Sequence, residues 1–132
     1  MMWTRAYLAI SVLIWAGYGL YCFFEPATLE QAAGLVLGSS VARTEVRAMY
    51  GGLQFAIGAM ALAALFRPAL VRPTLLSLAF LVSGLAVSRA IGAVLDGSFG
   101  QYTTGAIVFE VAVAGTAIAL LRSHPSDTLP TA

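Results

Sequence analysis

Four apolar runs, Ala6–Phe24, Glu45–Phe66, Thr74–Leu95 and Thr103–Leu121, make up most of the chain, and all five prolines lie outside them. Each run approaches the roughly 20 residues that a helix needs to cross the hydrocarbon core of a bilayer. A proline inside such a run would break the internal hydrogen bonding on which a lipid-exposed backbone depends, so Pro26, Pro68, Pro73, Pro125 and Pro130 mark connections and tail. With 60% hydrophobic and 10% charged residues, the composition lies far from that of a soluble domain. The predicted fold class is all-α, a transmembrane four-helix bundle that forms one integral membrane domain over residues 1–132, with a tail from 122 to 132. The stretch after His124 is short and is expected to be disordered.

Charge sets the expected orientation. The basic residues are all arginine; Arg5, Arg67, Arg72 and Arg122 fall on one side of the spans, whereas Arg43 alone lies in a connection on the other. The positive-inside rule then puts both termini of a multi-pass protein in the cytoplasm. The first run has no small-x-small cleavage site after it and is expected to stay as a helix. Trp3, Tyr7 and Tyr21 suit the aromatic belts.

Several chemistries are excluded. A net charge of +1 without a basic stripe gives no support for nucleic-acid binding. Cys22 is the only cysteine and His124 the only histidine, so an internal disulfide, a dithiol relay, a His/Cys metal cluster and a histidine-based triad within the spans are all ruled out.

Polar residues inside the spans are few and fall at one level. The block Thr44-Glu45-Val46-Arg47-Ala48-Met49-Tyr50-Gly51-Gly52-Leu53-Gln54 opens the second run. There Thr44 is the expected N-cap, and Glu45, in the first turn, complements the helix dipole. In this run Val46, Met49, Leu53, Ile57 and Met60 form an expected lipid-facing row. Glu45, Ala48, Gly52, Ala56, Ala59 and Ala63 form a second row, and Arg47, Gly51, Gln54, Gly58 and Ala61 a third, so the helix is expected to pack on two sides. A short helix over Ala27–Leu37, ended by Gly38, is expected in the long connection before it.

The third run carries Ser77, Gly84, Ser88 and Gly92 as a further small row, and Arg89 seven residues before Asp96. Glu110 sits seven residues into the fourth run, on one face with Thr103, Ala106, Ala114 and Ala117. At 1.5 Å per residue both charges lie about 10 Å inside the same interface. Tyr18 and Gly52 reach a similar level.

The Glu45-Val46-Arg47-Ala48-Met49-Tyr50-Gly51-Gly52 block, Ser88-Arg89-Ala90-Ile91-Gly92 with Asp96-Gly97, and Glu110 together resemble a bacterial family of small four-span membrane proteins. It is the domain of unknown function numbered forty-three forty-five, and the likeness runs from about Ala6 to Arg122. More remotely the chain is similar to DoxX-like four-helix proteins, some linked to quinone or thiol redox systems. The resemblance implies the fold and the polar positions, and no reaction.

Each polar residue has a structural and a functional reading. Arg89 with Glu110 is either a register-fixing pair or a ligand site, because an ion inside a membrane defaults to a functional hypothesis. Capping and snorkelling account for Glu45 and Arg47, and close helix packing accounts for Gly51-Gly52. Cys22 reads as a small apolar residue.

The leading expectation is that Tyr18, Glu45, Arg47, Tyr50, Gln54, Arg89 and Glu110 line an outer-leaflet pocket for the polar end of a lipid, a quinone or another small amphiphile. No metal and no catalytic residue is expected, and quinone is the one cofactor considered. The alternative is a non-catalytic accessory or assembly subunit that docks a membrane-protein partner or a second copy of itself. An enzyme ranks third, since no nucleophile or cofactor motif accompanies Glu110.

Overall fold

The computed structural model describes residues 1–123, so His124 and the expectation about the tail lie outside the described residues. Helix α1 spans Met2–Phe24, α2 is a short helix over Thr28–Ala33, and α3 spans Ser40–Phe66. A 3-10 turn at Pro68–Leu70 leads into α4, Val71–Asp96, which is followed by α5, Gln101–Ser123. No strand occurs among the described residues. Four of the helices are long and apolar enough to cross a membrane, and they begin two to five residues earlier than the hydropathy of the sequence suggests. The chain forms two compact units, Met1–Val71 and a second beginning at Arg72.

In the first unit α1 and α3 run antiparallel in very close contact. A Cβ built on Gly19 would lie 2.5 Å from the Phe55 backbone nitrogen and 2.7 Å from the Gly51 carbonyl oxygen, and one on Gly51 would lie 2.9 Å from Phe23 Cβ. A Cβ on Gly58 would overlap the backbone of Ala16. Only glycine allows backbones to approach this far, which is how membrane helices gain packing energy where lipid supplies no hydrophobic drive.

Both helices contain a wide π turn, Val12–Ala16 in α1 and Arg47–Gly52 in α3, each opposite one of these glycine contacts. A π turn inserts one residue and so rotates the following face by about 100°. That rotation explains why the rows expected for α3 do not persist along it. Val46, before the turn, and Ile57, after it, are both buried rather than lipid-facing, whereas Met49 and Leu53 are exposed. Of the other two rows, Gly51, Gly58 and Ala61 are buried as expected, while Ala48, Gly52, Ala56 and Ala59 are exposed. The helix therefore packs on the glycine side, and the second small row is uncovered.

The connection between α1 and α3 folds back as a cap. Leu29 and Leu37 bury against Val46, with Ala42 and Tyr50 packed on them. Helix α2 ends at Gly34, not Gly38, because Gly34 takes φ +69° and lets the chain reverse. The Leu35 N–H donates to the Leu29 carbonyl, and the Leu37 N–H donates to Glu30 Oε1 at 2.8 Å. Helix α3 starts at Ser40, with the Ser39 hydroxyl accepting from the Ala42 N–H, so Ser39 is the N-cap in place of Thr44. Thr44 instead bonds back within the helix, donating to the Ser40 carbonyl.

In the second unit α4 and α5 are joined by a short loop in which Gly97 has φ +62° and the Ser98 N–H closes onto the Ala93 carbonyl. The buried residues of α4 include Leu75, Leu78, Val82 and Ala86; those of α5 are Glu110, Ala114 and Ala117. The row Ser77, Gly84, Ser88 and Gly92 is not a packing face: Gly84 and Ser88 are exposed, and nothing lies within 4 Å of a Cβ built on Gly84 or Gly92.

Candidate functional site

Arg89 and Glu110 meet because a tight loop folds α4 and α5 into a hairpin, and each stands well inside its own helix. Arg89 is seven residues before Asp96 and Glu110 nine after Gln101, which places them roughly 10–14 Å from those helix ends. The guanidinium approaches the carboxylate edge on: Arg89 Nε donates to Oε1 at 3.0 Å and to Oε2 at 3.1 Å, and Nη2 donates to Oε1 at 2.7 Å. Two-nitrogen contact of this kind fixes direction as well as charge. The pair is asymmetric, since the Glu110 side chain is 5% exposed and that of Arg89 27%. The carboxylate is thus the sequestered partner, and the arginine side chain is the more exposed of the two.

The α5 face that carries Glu110 is the one expected from helical spacing. Ala114 and Ala117 are buried beside it, and Thr103 and Ala106 are half-buried. Small residues at these positions leave room for a side chain as long as arginine to reach the carboxylate.

The five other candidate residues belong to the first unit, where they do different things. Arg47 Nε donates to the Phe23 carbonyl at 2.9 Å. Phe23 lies in the last turn of α1, where carbonyls lack an intrahelical donor and the dipole is negative, so Arg47 caps the neighbouring helix. Tyr50 packs on the Leu29, Leu37 and Val46 cluster. Glu45 is exposed and stands sixth in α3, beyond the first turn in which it was expected to complement the dipole. Tyr18 and Gln54 are half-buried. Gly51 is the member of the glycine pair that makes close contact; Gly52 faces outward.

Two features escaped sequence reading. One is the role of Gly19, whose contact depends on the wide turns; the Gly17-Tyr18-Gly19 spacing was its only signal. The other is a cavity of about 50 Å³ at the Met1 end of the first unit, bordered by Thr4, Arg5, Leu8, Ala64, Leu65 and Val71. Hydropathy gives no sign of it. No group of three or more His, Cys, Asp or Glu residues that could hold a metal occurs among the described residues.

The helices and the charge pair define a small helical membrane protein with an ion pair inside one helical hairpin. A family model described as a domain of unknown function (DUF4345) matches residues 3–121, and the chain belongs to that family. No curated protein and no solved structure matches the chain.

Proposed function

We propose that the protein binds the polar end of a small amphiphile, a lipid or a quinone, at Arg89. The supporting observation is the asymmetry of the ion pair, in which a sequestered carboxylate holds the guanidinium of a side chain that is itself partly exposed. An arginine used only to fix helix register gains nothing from partial exposure at this depth, whereas a planar fork held at one edge is oriented to receive a carboxylate, phosphate or quinone oxygen. Glu110 acts as a positioning residue in this reading. The protein resides in the bacterial inner membrane with both termini cytoplasmic, a placement supported by the distribution of Arg5, Arg67, Arg72 and Arg122.

Native mass spectrometry of gently extracted protein tests the binding, with a retained lipid or quinone expected on the wild type and lost from Arg89→Gln. Equal retention by both proteins would sink the reading. Cysteines placed at Ser39 and Ser123 should label from opposite sides of the membrane; labelling from the same side would reject the topology.

A second reading is favoured by the uncovered small residues. Ala48, Gly52, Ala56 and Ala59 on α3 are exposed, and Gly84, Gly105 and Gly115 have no neighbour within 4 Å of an added Cβ. Such surfaces suit close docking of another membrane helix, so an accessory subunit or a homo-oligomer is the alternative. A stoichiometric protein partner in the same spectra would favour it.

A further inference from the structure

The cavity at the Met1 end of the first unit is lined by residues of that unit alone and has its own chemistry. Where glycine faces backbone, at Gly19 and Gly58, the helices touch. Toward Met1 no glycine contact of this kind occurs, and Leu8, Ala64 and Leu65 line the cavity.

The cavity is lined by the apolar Leu8, Ala64, Leu65 and Val71 together with Arg5 and Thr4. Thr4 is 3% exposed and Leu8 fully buried, whereas Arg5 is exposed. Arg67, also exposed, follows directly after the end of α3. Water is a poor occupant, because an ordered water needs two to four polar partners and most of the lining is apolar. A small soluble anion would meet Arg5 and leave the apolar lining bare.

We infer that this end of the helix pair is a binding site for an anionic phospholipid, with an acyl segment lying over Leu65 and Val71 and the phosphate oxygens on the Arg5 guanidinium. The two parts of the ligand match the two parts of the site. A planar guanidinium binds phosphate through two directed bonds, and net negative charge on the head group distinguishes the lipid from a zwitterionic one of the same chain length. The inference does not depend on the amphiphile reading at Arg89, which belongs to the other unit, and the test below needs no assignment of leaflet.

The experiment compares phosphatidylglycerol with phosphatidylcholine of identical chains, titrated into full-length protein in micelles and read by native mass spectrometry. Wild-type protein should hold phosphatidylglycerol about fivefold or more tighter, the factor that ~1 kcal/mol per basic residue near an anionic surface provides. Arg5→Gln should erase that preference, and Arg43→Gln, at the other end of α3, should leave it intact. Ala64→Phe, which fills the cavity, should weaken both lipids. Equal affinity for the two lipids, an Arg5→Gln protein with undiminished preference, or complete displacement of phosphatidylglycerol by inorganic phosphate would each overturn the proposal, the last by showing a free-anion site. Arg5 is exposed, so its substitution does not threaten folding and decides the matter even if Ala64→Phe fails to fold.

Discussion

The two helical hairpins of this protein solve one problem in different ways. In the first, α1 and α3 are joined by glycine: Gly19, Gly51 and Gly58 each face backbone or Cβ atoms closer than any side chain would permit. Charged groups there stay at the ends, where Arg47 caps α1 and Glu30 ties down the connection. In the second, none of Gly84, Gly92, Gly105 and Gly115 meets anything within 4 Å, and α4 and α5 are linked through the Arg89 and Glu110 pair. Glycine content alone therefore does not mark a helix interface in lipid. What distinguishes the hairpins is where the glycines fall relative to the wide turns, and whether a charge lies inside the span.

The comparison breaks first at the ion pair. Arg89→Ala leaves a carboxylate 5% exposed without its counter-charge, and the expected loss is about 3–5 kcal/mol. Arg89→Met combined with Glu110→Leu should recover most of that loss, because removing both charges also removes the desolvation cost. Reversible unfolding in mixed micelles measures both. A single variant within about 0.5 kcal/mol of wild type would mean that the second hairpin is not held by its charges.

The next test sets one glycine against another. Gly58→Leu drives a side chain into the backbone of Ala16, which cannot yield as a flexible side chain could; the expected cost is about 1–3 kcal/mol or more. Gly84→Leu meets open space and should be neutral or stabilising by roughly 0.5–1 kcal/mol, the usual penalty of a mid-helix glycine being removed. If the two substitutions cost the same in the same unfolding assay, the contrast between the hairpins is not one of glycine contact.

Most of the architecture is legible in the sequence, because hydropathy and proline placement act on every residue of a span at once. The meeting of Arg89 with Glu110 is legible too, since two opposite charges at matched depth on helices joined by a short loop have few other partners. The faces of α3 are not. Face assignment assumes 3.6 residues per turn throughout, and the turn at Arg47–Gly52 breaks that assumption in the middle of the polar block. A single uniform face puts Val46 in lipid with Met49 and Leu53, whereas Val46 supports the cap formed by Leu29 and Leu37. The N-cap was missed for a related reason. Thr44 and Ser39 are both chemically suitable, and the choice depends on how the connection folds, which local sequence does not encode.

The smallest expected effect concerns a hydroxyl in the second hairpin. Thr74 is fully buried in α4, and its Oγ1 has no hydrogen-bond partner. Other helical threonines here donate to the carbonyl four residues back, Thr44 to Ser40 at 3.0 Å and Thr116 to Ala112 at 2.8 Å. Thr74 does not, although it follows the 3-10 turn at Pro68–Leu70 that would supply such a carbonyl. A buried hydroxyl without a partner carries its full desolvation penalty, about 1–3 kcal/mol. Thr74→Val keeps the branched shape and removes the oxygen, so the variant should be more stable than wild type by ~1 kcal/mol. Thr116→Val, at an exposed position with a satisfied hydroxyl, should change stability by no more than about 0.5 kcal/mol. Loss of stability in Thr74→Val would show that the hydroxyl bonds to a group outside this chain, a lipid or a second copy, and would move the search for a polar ligand toward the Pro73 end of α4.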